Sequence, residues 1–148
     1  MVGRSDGREL DFQPPSSGNV YVADADVADR LERLTDGGGS TTGWKYVVAS
    51  DDSTELYGPT GNLLSISDRA GSTQTLTYSD VSTPPNVAPA PGLLITVSDA
   101  WGRTLGFIYD SQNRIVRMTD PAGGNYNYAY DTAGNLASIT FPDRKSVV

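Results

Sequence analysis

The sequence contains no cysteine and no histidine. The absence of cysteine excludes disulfide bonds and thiol chemistry. The absence of histidine excludes Ser-His and Cys-His catalytic pairs as well as histidine-ligated metal sites. We therefore predict a protein that is not an enzyme and that has no cofactor and no metal site.

Basic residues are scarce, with 11 lysines and arginines against 18 aspartates and glutamates, which gives a net charge of −7. A nucleic acid or an anionic membrane surface requires a basic face, so neither is an expected partner. No apolar run approaches the roughly 18 residues of a membrane span. The opening stretch, MVGRSDGREL, lacks the apolar core of a signal peptide.

Glycine, serine, threonine, aspartate and tyrosine are abundant, which is typical of short strands joined by many turns. One pattern repeats along the chain. An apolar pair three residues apart is followed by Ser/Thr-Asp-x-x-Gly, and a tyrosine follows seven residues after the glycine. Copies occupy residues 30–46, 62–78, 93–109 and 114–130, and a fifth begins at Asn135.

Asp-x-x-Gly suits a type I turn, because aspartate caps the first position and glycine accepts positive φ at the fourth. We predict such turns at Asp36–Gly39, Asp68–Gly71, Asp99–Gly102 and Asp120–Gly123. A second set connects successive hairpins, at Gly58–Gly61, Asp110–Asn113 and Asp131–Gly134. Asn113 replaces glycine in this set, and asparagine is the best other residue for left-handed φ.

The spacing of the turns leaves strands of about six residues, as in an all-β antiparallel meander. Tyr126, Tyr128 and Tyr130 alternate along one such strand and so share a face. The apolar pairs fit less well, because a plain strand places residues three apart on opposite faces. Either both faces are partly covered or a β-bulge changes the phase. The pairs are Leu31/Leu34, Leu63/Ile66, Ile115/Met118 and Leu136/Ile139.

Two segments break the repeat pattern, and one further stretch resembles a helix. Residues 25–34, ADVADRLERL, have helical apolar spacing, but the repeat alignment places 30–34 on a strand, which we predict. Residues 1–22 are predicted to be an N-terminal extension or cap strands, and residues 23–148 to be the repeat region. Within that region the Pro-rich residues 79–92 are predicted to form a surface loop.

The spacing Tyr-Asp-x-x-Gly-Asn/Arg-Leu, with Asp-Pro-x-Gly midway, resembles the YD repeat of the Rhs (rearrangement hotspot) family over roughly residues 29–143. Departures are Gly58 where the family has aspartate, Asn113, Ser79 after Tyr78, and Arg144 at an expected glycine. The matching residues are Tyr109-Asp110, Asn113-Arg114-Ile115, Asp120-Pro121-Ala122-Gly123 and Tyr130-Asp131-Thr132-Ala133-Gly134-Asn135-Leu136.

The resemblance implies a β-spiral or shell-like sheet and a structural function. In bacteria, YD-repeat shells enclose a C-terminal toxin until delivery, often by type VI secretion, whereas the related teneurin shells act in cell–cell adhesion. The implied partners are the rest of the shell and its toxin cargo. The implied location is bacterial, exported or cell-surface-associated, as part of a larger protein.

An alternative is a binding module that presents aromatic side chains to carbohydrate or to a cell-surface partner. Trp101 is the candidate binding residue, because it lies inside a predicted turn, where a large aromatic residue is exposed. Paired carboxylates for glycoside hydrolysis are less favoured, since each recurring aspartate is already assigned to a turn. A calcium site at Asp24, Asp26 and Asp29 or at Asp51 and Asp52 lacks the dense ligand spacing that calcium requires.

Open strand edges are a further consequence of a meander cut from a spiral. Unpaired edges pair with other chains, so we expect self-association or closure of the sheet on itself.

Overall fold

The computed structural model describes residues 2–4 and 7–142. Those residues contain strands and turns but no helix, and therefore no helix able to cross a membrane. The strands are β1 Val2–Gly3, β2 Glu9–Leu10, β3 Phe12–Gln13, β4 Val20–Ala23, β5 Arg30–Thr35, β6 Thr41–Val48, β7 Ser53–Tyr57, β8 Leu63–Ser67, β9 Thr73–Tyr78, β10 Leu94–Ser98, β11 Thr104–Tyr109, β12 Ile115–Thr119, β13 Asn125–Tyr130 and β14 Leu136–Thr140.

Strands β3 to β14 form one twelve-stranded sheet in which spatial order follows chain order. The paired strands with a defined register are antiparallel, and β1 and β2 form a separate two-stranded sheet. The predicted all-β antiparallel meander is confirmed. Residues 30–34 belong to strand β5 rather than to a helix, as the repeat alignment predicted.

β-bulges decide how the apolar pairs are oriented. In β8 the pairing skips Leu64, so that Leu63 lies opposite Tyr57 and Ile66 lies opposite Glu55 on the same face. The same shift occurs in β10, β12 and β14, at Ile95, Val116 and Ala137. The bulge interpretation therefore holds for the pairs in β8, β12 and β14.

The pair in β5 behaves differently. Leu31 lies opposite Tyr46 and Leu34 opposite Gly43 without an intervening shift, so its members lie on opposite faces. The bulge of this hairpin lies on its second strand, just after the turn, at Thr42 in β6.

The chain divides into two compact units, Met1–Gln74 and Thr75–Val148. In the first unit the side chain of Tyr46 is fully buried, and Phe12 packs edge-on against it with ring centroids 6.0 Å apart. In the second unit Ala88, which belongs to the Pro-rich loop, is buried. Each unit has a single layer of main sheet, so most apolar side chains are only half-buried.

The Pro-rich loop lies between β9 and β10 and is held by hydrogen bonds. The Ser79 hydroxyl donates to the Ala90 carbonyl at 2.7 Å and accepts from the Leu93 amide at 2.9 Å. The Tyr109 amide donates to the Val87 carbonyl at 2.9 Å, which ties the loop to the end of β11. Ser79 thus closes this loop at the position where the repeat would have a turn aspartate.

Candidate functional site

The turn at Asp110 shows how each repeat closes. The Asn113 amide donates to the Asp110 carbonyl at 3.1 Å. The Asp110 Oδ1 atom accepts the amides of Gln112 and Arg114, at 2.9 Å and 3.0 Å. A single carboxylate oxygen therefore holds two turn amides, and Asn113 takes the left-handed position at φ 61°.

Five more aspartates close a turn through the same carboxylate oxygen, and in four of them this oxygen also accepts the amide two residues later. In each turn the aspartate Oδ1 accepts the amide four residues later, and the glycine has φ between 77° and 87°. The turns are Asp36–Gly39, Asp68–Gly71, Asp99–Gly102, Asp120–Gly123 and Asp131–Gly134.

The Gly58–Gly61 turn has the same backbone hydrogen bond, at 3.0 Å, but no carboxylate. The Asn62 side chain fills that space, since a Cβ added at Gly58 would lie 2.5 Å from Asn62 Oδ1.

Hydrogen bonds lower the pKa of Asp110 and Asp131. For Asp110 the largest cause is the backbone amide of Arg114, followed by its guanidinium group. For Asp131 it is the backbone amide of Asn135, followed by its side-chain amide. A general acid for glycoside hydrolysis requires a raised pKa, so these carboxylates are suited to turns rather than to proton donation.

The repeat tyrosines fasten the strand ends beside the bulges. The Tyr109 hydroxyl donates to the Leu94 carbonyl at 2.7 Å, and the Tyr130 hydroxyl donates to the Ile115 carbonyl at 2.8 Å. Each acceptor lies on the preceding strand, immediately before the bulged residue. The Arg114 guanidinium lies 4.3 Å from the Tyr130 ring centre and also pairs with Asp110 at 2.7 Å.

Trp101 lies in the Asp99–Gly102 turn, and 74% of its surface is exposed. Its backbone amide donates to Asp99 Oδ1 at 2.9 Å, and the Arg103 guanidinium lies 5.2 Å from its ring centre. The ring is therefore presented to solvent on a firmly hydrogen-bonded turn.

The register of the second unit separates its side chains by face. One face carries apolar and aromatic residues, and the opposite face carries mainly threonine, asparagine and serine. The apolar face is most open at β14 and just beyond it, where Leu136 is 51% exposed and Phe141 is 68% exposed. The apolar set is Leu76, Tyr78, Leu94, Val97, Leu105, Phe107, Tyr109, Ile115, Met118, Tyr126, Tyr128, Tyr130, Leu136 and Ile139.

The first unit contains an aromatic cleft of about 350 Å³, lined chiefly by Tyr21, Trp44, Tyr46, Tyr57 and Phe12. The Tyr21 and Trp44 rings meet edge-on, with centroids 5.6 Å apart. The Tyr21 hydroxyl and the Trp44 indole N–H have no hydrogen-bond partner among the described residues. The cleft thus combines aromatic surface with two donors that a ligand can use.

A charged network lies beside this cleft. Arg4 Nη1 and Nη2 donate to the two Glu55 carboxylate oxygens at 2.7 Å and 3.0 Å. The Tyr57 hydroxyl donates to Glu55 Oε2 at 2.6 Å. Burial, followed by this hydrogen bond, raises the pKa of Tyr57 to about 12. The Tyr46 hydroxyl donates to the Asp29 carboxylate, and burial is the main cause of the raised pKa of Tyr46.

Sequence reasoning missed this network. The alternation of Glu55 and Tyr57 along one strand was a usable signal, because it places a carboxylate on the aromatic face. Nothing in the sequence marks Arg4, which is 51 residues from Glu55. The carboxylate of Asp29, one of the three aspartates of the less favoured calcium site, accepts the Tyr46 hydroxyl and the Ala49 amide. Among residues 2–4 and 7–142 no group of three acidic side chains is arranged to hold a metal ion.

Together the sheet and its turns define a class of protein, an all-β repeat protein built from Asp-turn hairpins. The model of the RHS Repeat family, a structural repeat, matches residues 92–125 and 109–146. Residues 92–146 therefore carry the Rhs repeat, which confirms the predicted resemblance to the Rhs/YD-repeat family in this part of the chain. The earlier copies at residues 30–46 and 62–78 lie outside the match but form the same turns. No curated protein matches the chain.

Proposed function

We propose that this chain is a wall segment of an Rhs-type β-shell that encloses a C-terminal toxin, in a bacterial protein that is exported or displayed at the cell surface. The observation that carries this proposal is the one-sided sheet of the second unit. Its apolar face is only half-buried, although its strands are paired in order along the sheet.

A large apolar patch facing bulk water is a liability in a soluble protein. A shell removes that liability, because its interior face contacts cargo and its exterior face contacts water. We therefore propose that the face with Tyr126 and Tyr128 is turned inward and the face with Asn125 and Asn127 outward.

Single cysteines test this orientation, since the natural chain has none. The Asn127→Cys and Tyr128→Cys variants differ by one residue and lie on opposite faces of β13. In the protein as its source cell assembles it, we expect a bulky maleimide to label the Asn127→Cys variant. The Tyr128→Cys variant should react only after denaturation. Equal native labelling at both positions would contradict a shell wall.

Carbohydrate binding is a second candidate function, and the aromatic cleft is the observation that favours it. Flat aromatic walls beside free donors suit a sugar ring, and the nearby carboxylates of Glu55 and Asp29 are already engaged. A glycan array with the Trp44→Ala and Trp101→Ala variants tests both aromatic sites. Absence of binding, or binding indifferent to both substitutions, counts against this candidate.

A further inference from the structure

The β1–β2 hairpin is held to the rest of the first unit by side chains and not by strand pairing with the main sheet. It forms its own two-stranded sheet, and each strand has two residues. Its turn is closed by the Arg4 amide on the Arg8 carbonyl at 2.8 Å and by the Gly7 amide on the Arg4 carbonyl at 3.0 Å. An isolated two-stranded hairpin is marginal in water, so its docking contacts decide whether it stays in place.

The docking contact with the best-defined geometry is the Arg4 side chain. Both terminal nitrogens engage Glu55, and the two side chains are only 16% and 12% exposed. The guanidinium also lies 4.6 Å from the Tyr46 ring centre. Three features of this site fit a planar guanidinium better than a lysine ammonium. They are a carboxylate that accepts two hydrogen bonds, a hydroxyl that holds that carboxylate in place, and an aromatic face.

An empty arginine site is energetically unfavourable. Removing one partner from an enclosed ion pair leaves an uncompensated charge, which favours replacement of the lost arginine by another. The chain carries a net charge of −7, so a basic segment is attracted to it from a distance.

We propose that Glu55, Tyr57 and Tyr46 form an arginine site, and that residues 2–10 are its resident ligand. The site exchanges this hairpin for an extended, arginine-bearing segment of another polypeptide. Exchange also moves Val2 and Gly3, which line the aromatic cleft, so occupation of the arginine site controls the width of that cleft.

A synthetic peptide of residues 2–10, VGRSDGREL, tests the exchange by calorimetry against the full chain. We expect the peptide to bind the Arg4→Gln variant, whose arginine site is unfilled, at least tenfold more tightly than the wild-type chain. A peptide with lysine at the first arginine, VGKSDGREL, should bind at least tenfold more weakly. The Arg69→Gln variant is the matched control, because Arg69 is in the same unit and is 82% exposed; it should behave like wild type.

Addition of Glu55→Gln to the Arg4→Gln variant should abolish peptide binding. No binding to the Arg4→Gln variant, equal binding of the two peptides, or binding unchanged by Glu55→Gln overturns the proposal. If circular dichroism shows that Arg4→Gln does not fold, hydrogen exchange of the wild-type chain decides. Saturating peptide must then speed amide exchange in residues 2–10, and unchanged exchange overturns the proposal.

Discussion

At the scale of the residue, the fold depends on two features of the turn that recur along the chain. An aspartate oxygen satisfies two turn amides, and a residue with positive φ lets the chain reverse into the next strand. Asn113 shows that the second requirement is conformational, since a side chain that accepts left-handed φ can replace glycine.

Gly123→Ala tests the conformational requirement in isolation. Gly123 has φ 82°, and an added Cβ would meet no atom within 4 Å, so the backbone strain is the whole cost. We expect the free energy of unfolding to fall by about 1 kcal/mol or more. Gly106→Ala is the control, because its Cβ also meets nothing within 4 Å and its φ is not in the left-handed region. The control should be neutral or slightly stabilising in urea denaturation, and equal losses at both sites would contradict the argument.

The lowered pKa values of Asp110 and Asp131 predict a loss of stability in acid. A carboxyl whose pKa is lower in the folded state stabilises the fold above its unfolded pKa of about 3.9. That contribution is lost as the pH falls through the lower, folded value. We therefore expect Asp131→Asn to destabilise the chain at pH 7 and to differ little from wild type at strongly acid pH. A difference in unfolding free energy that is independent of pH would refute this assignment.

At the scale of the element, the hairpin is shaped by its bulge and its tyrosine. The bulge after the first apolar residue brings both members of the pair to one face, as Ile115 and Met118 show. The tyrosine of the following strand then bonds the carbonyl beside that bulge. The repeat thereby brings two apolar residues three apart, which a plain strand would place on opposite faces, onto one continuous apolar face.

Tyr130→Phe removes the hydroxyl that donates to the Ile115 carbonyl and leaves the ring in place. We expect the free energy of unfolding to fall by about 1 kcal/mol, the value of one lost hydrogen bond. Tyr128→Phe is the matched control on the same strand and face, since the Tyr128 hydroxyl has no partner among the described residues. Its unfolding free energy should be near wild type; equal effects of the two substitutions would show that the Tyr130 hydroxyl does not fasten the strand end.

At the scale of the whole molecule, a single-layer meander cannot bury what its strands expose. Within residues 7–142 the outer edge of β14 has no strand partner, and its apolar face bears Leu136 and Ile139. Regular hydrogen-bonding groups beside exposed apolar side chains attract another strand. We therefore retain self-association through strand edges as a prediction.

Light scattering over a range of concentrations measures this association. We expect the wild-type chain to form dimers or larger species, and Ile139→Lys to weaken them, because it places a charge on the apolar face at the edge. Thr140→Lys places the same charge on the opposite face and should have the smaller effect. A wild-type chain that stays strictly monomeric with an open sheet would contradict edge pairing.

The sequence by itself determined the all-β class and the order of the hairpins, because turn formation depends on neighbouring residues. An aspartate and a glycine three residues later carry most of the information needed for a reversal. Only the tertiary structure decided which face each apolar pair occupies, which carbonyl each tyrosine reaches, and that Arg4 meets Glu55. Those outcomes depend on strand register and on contacts between distant segments, and a register shift of one residue moves a side chain to the other face.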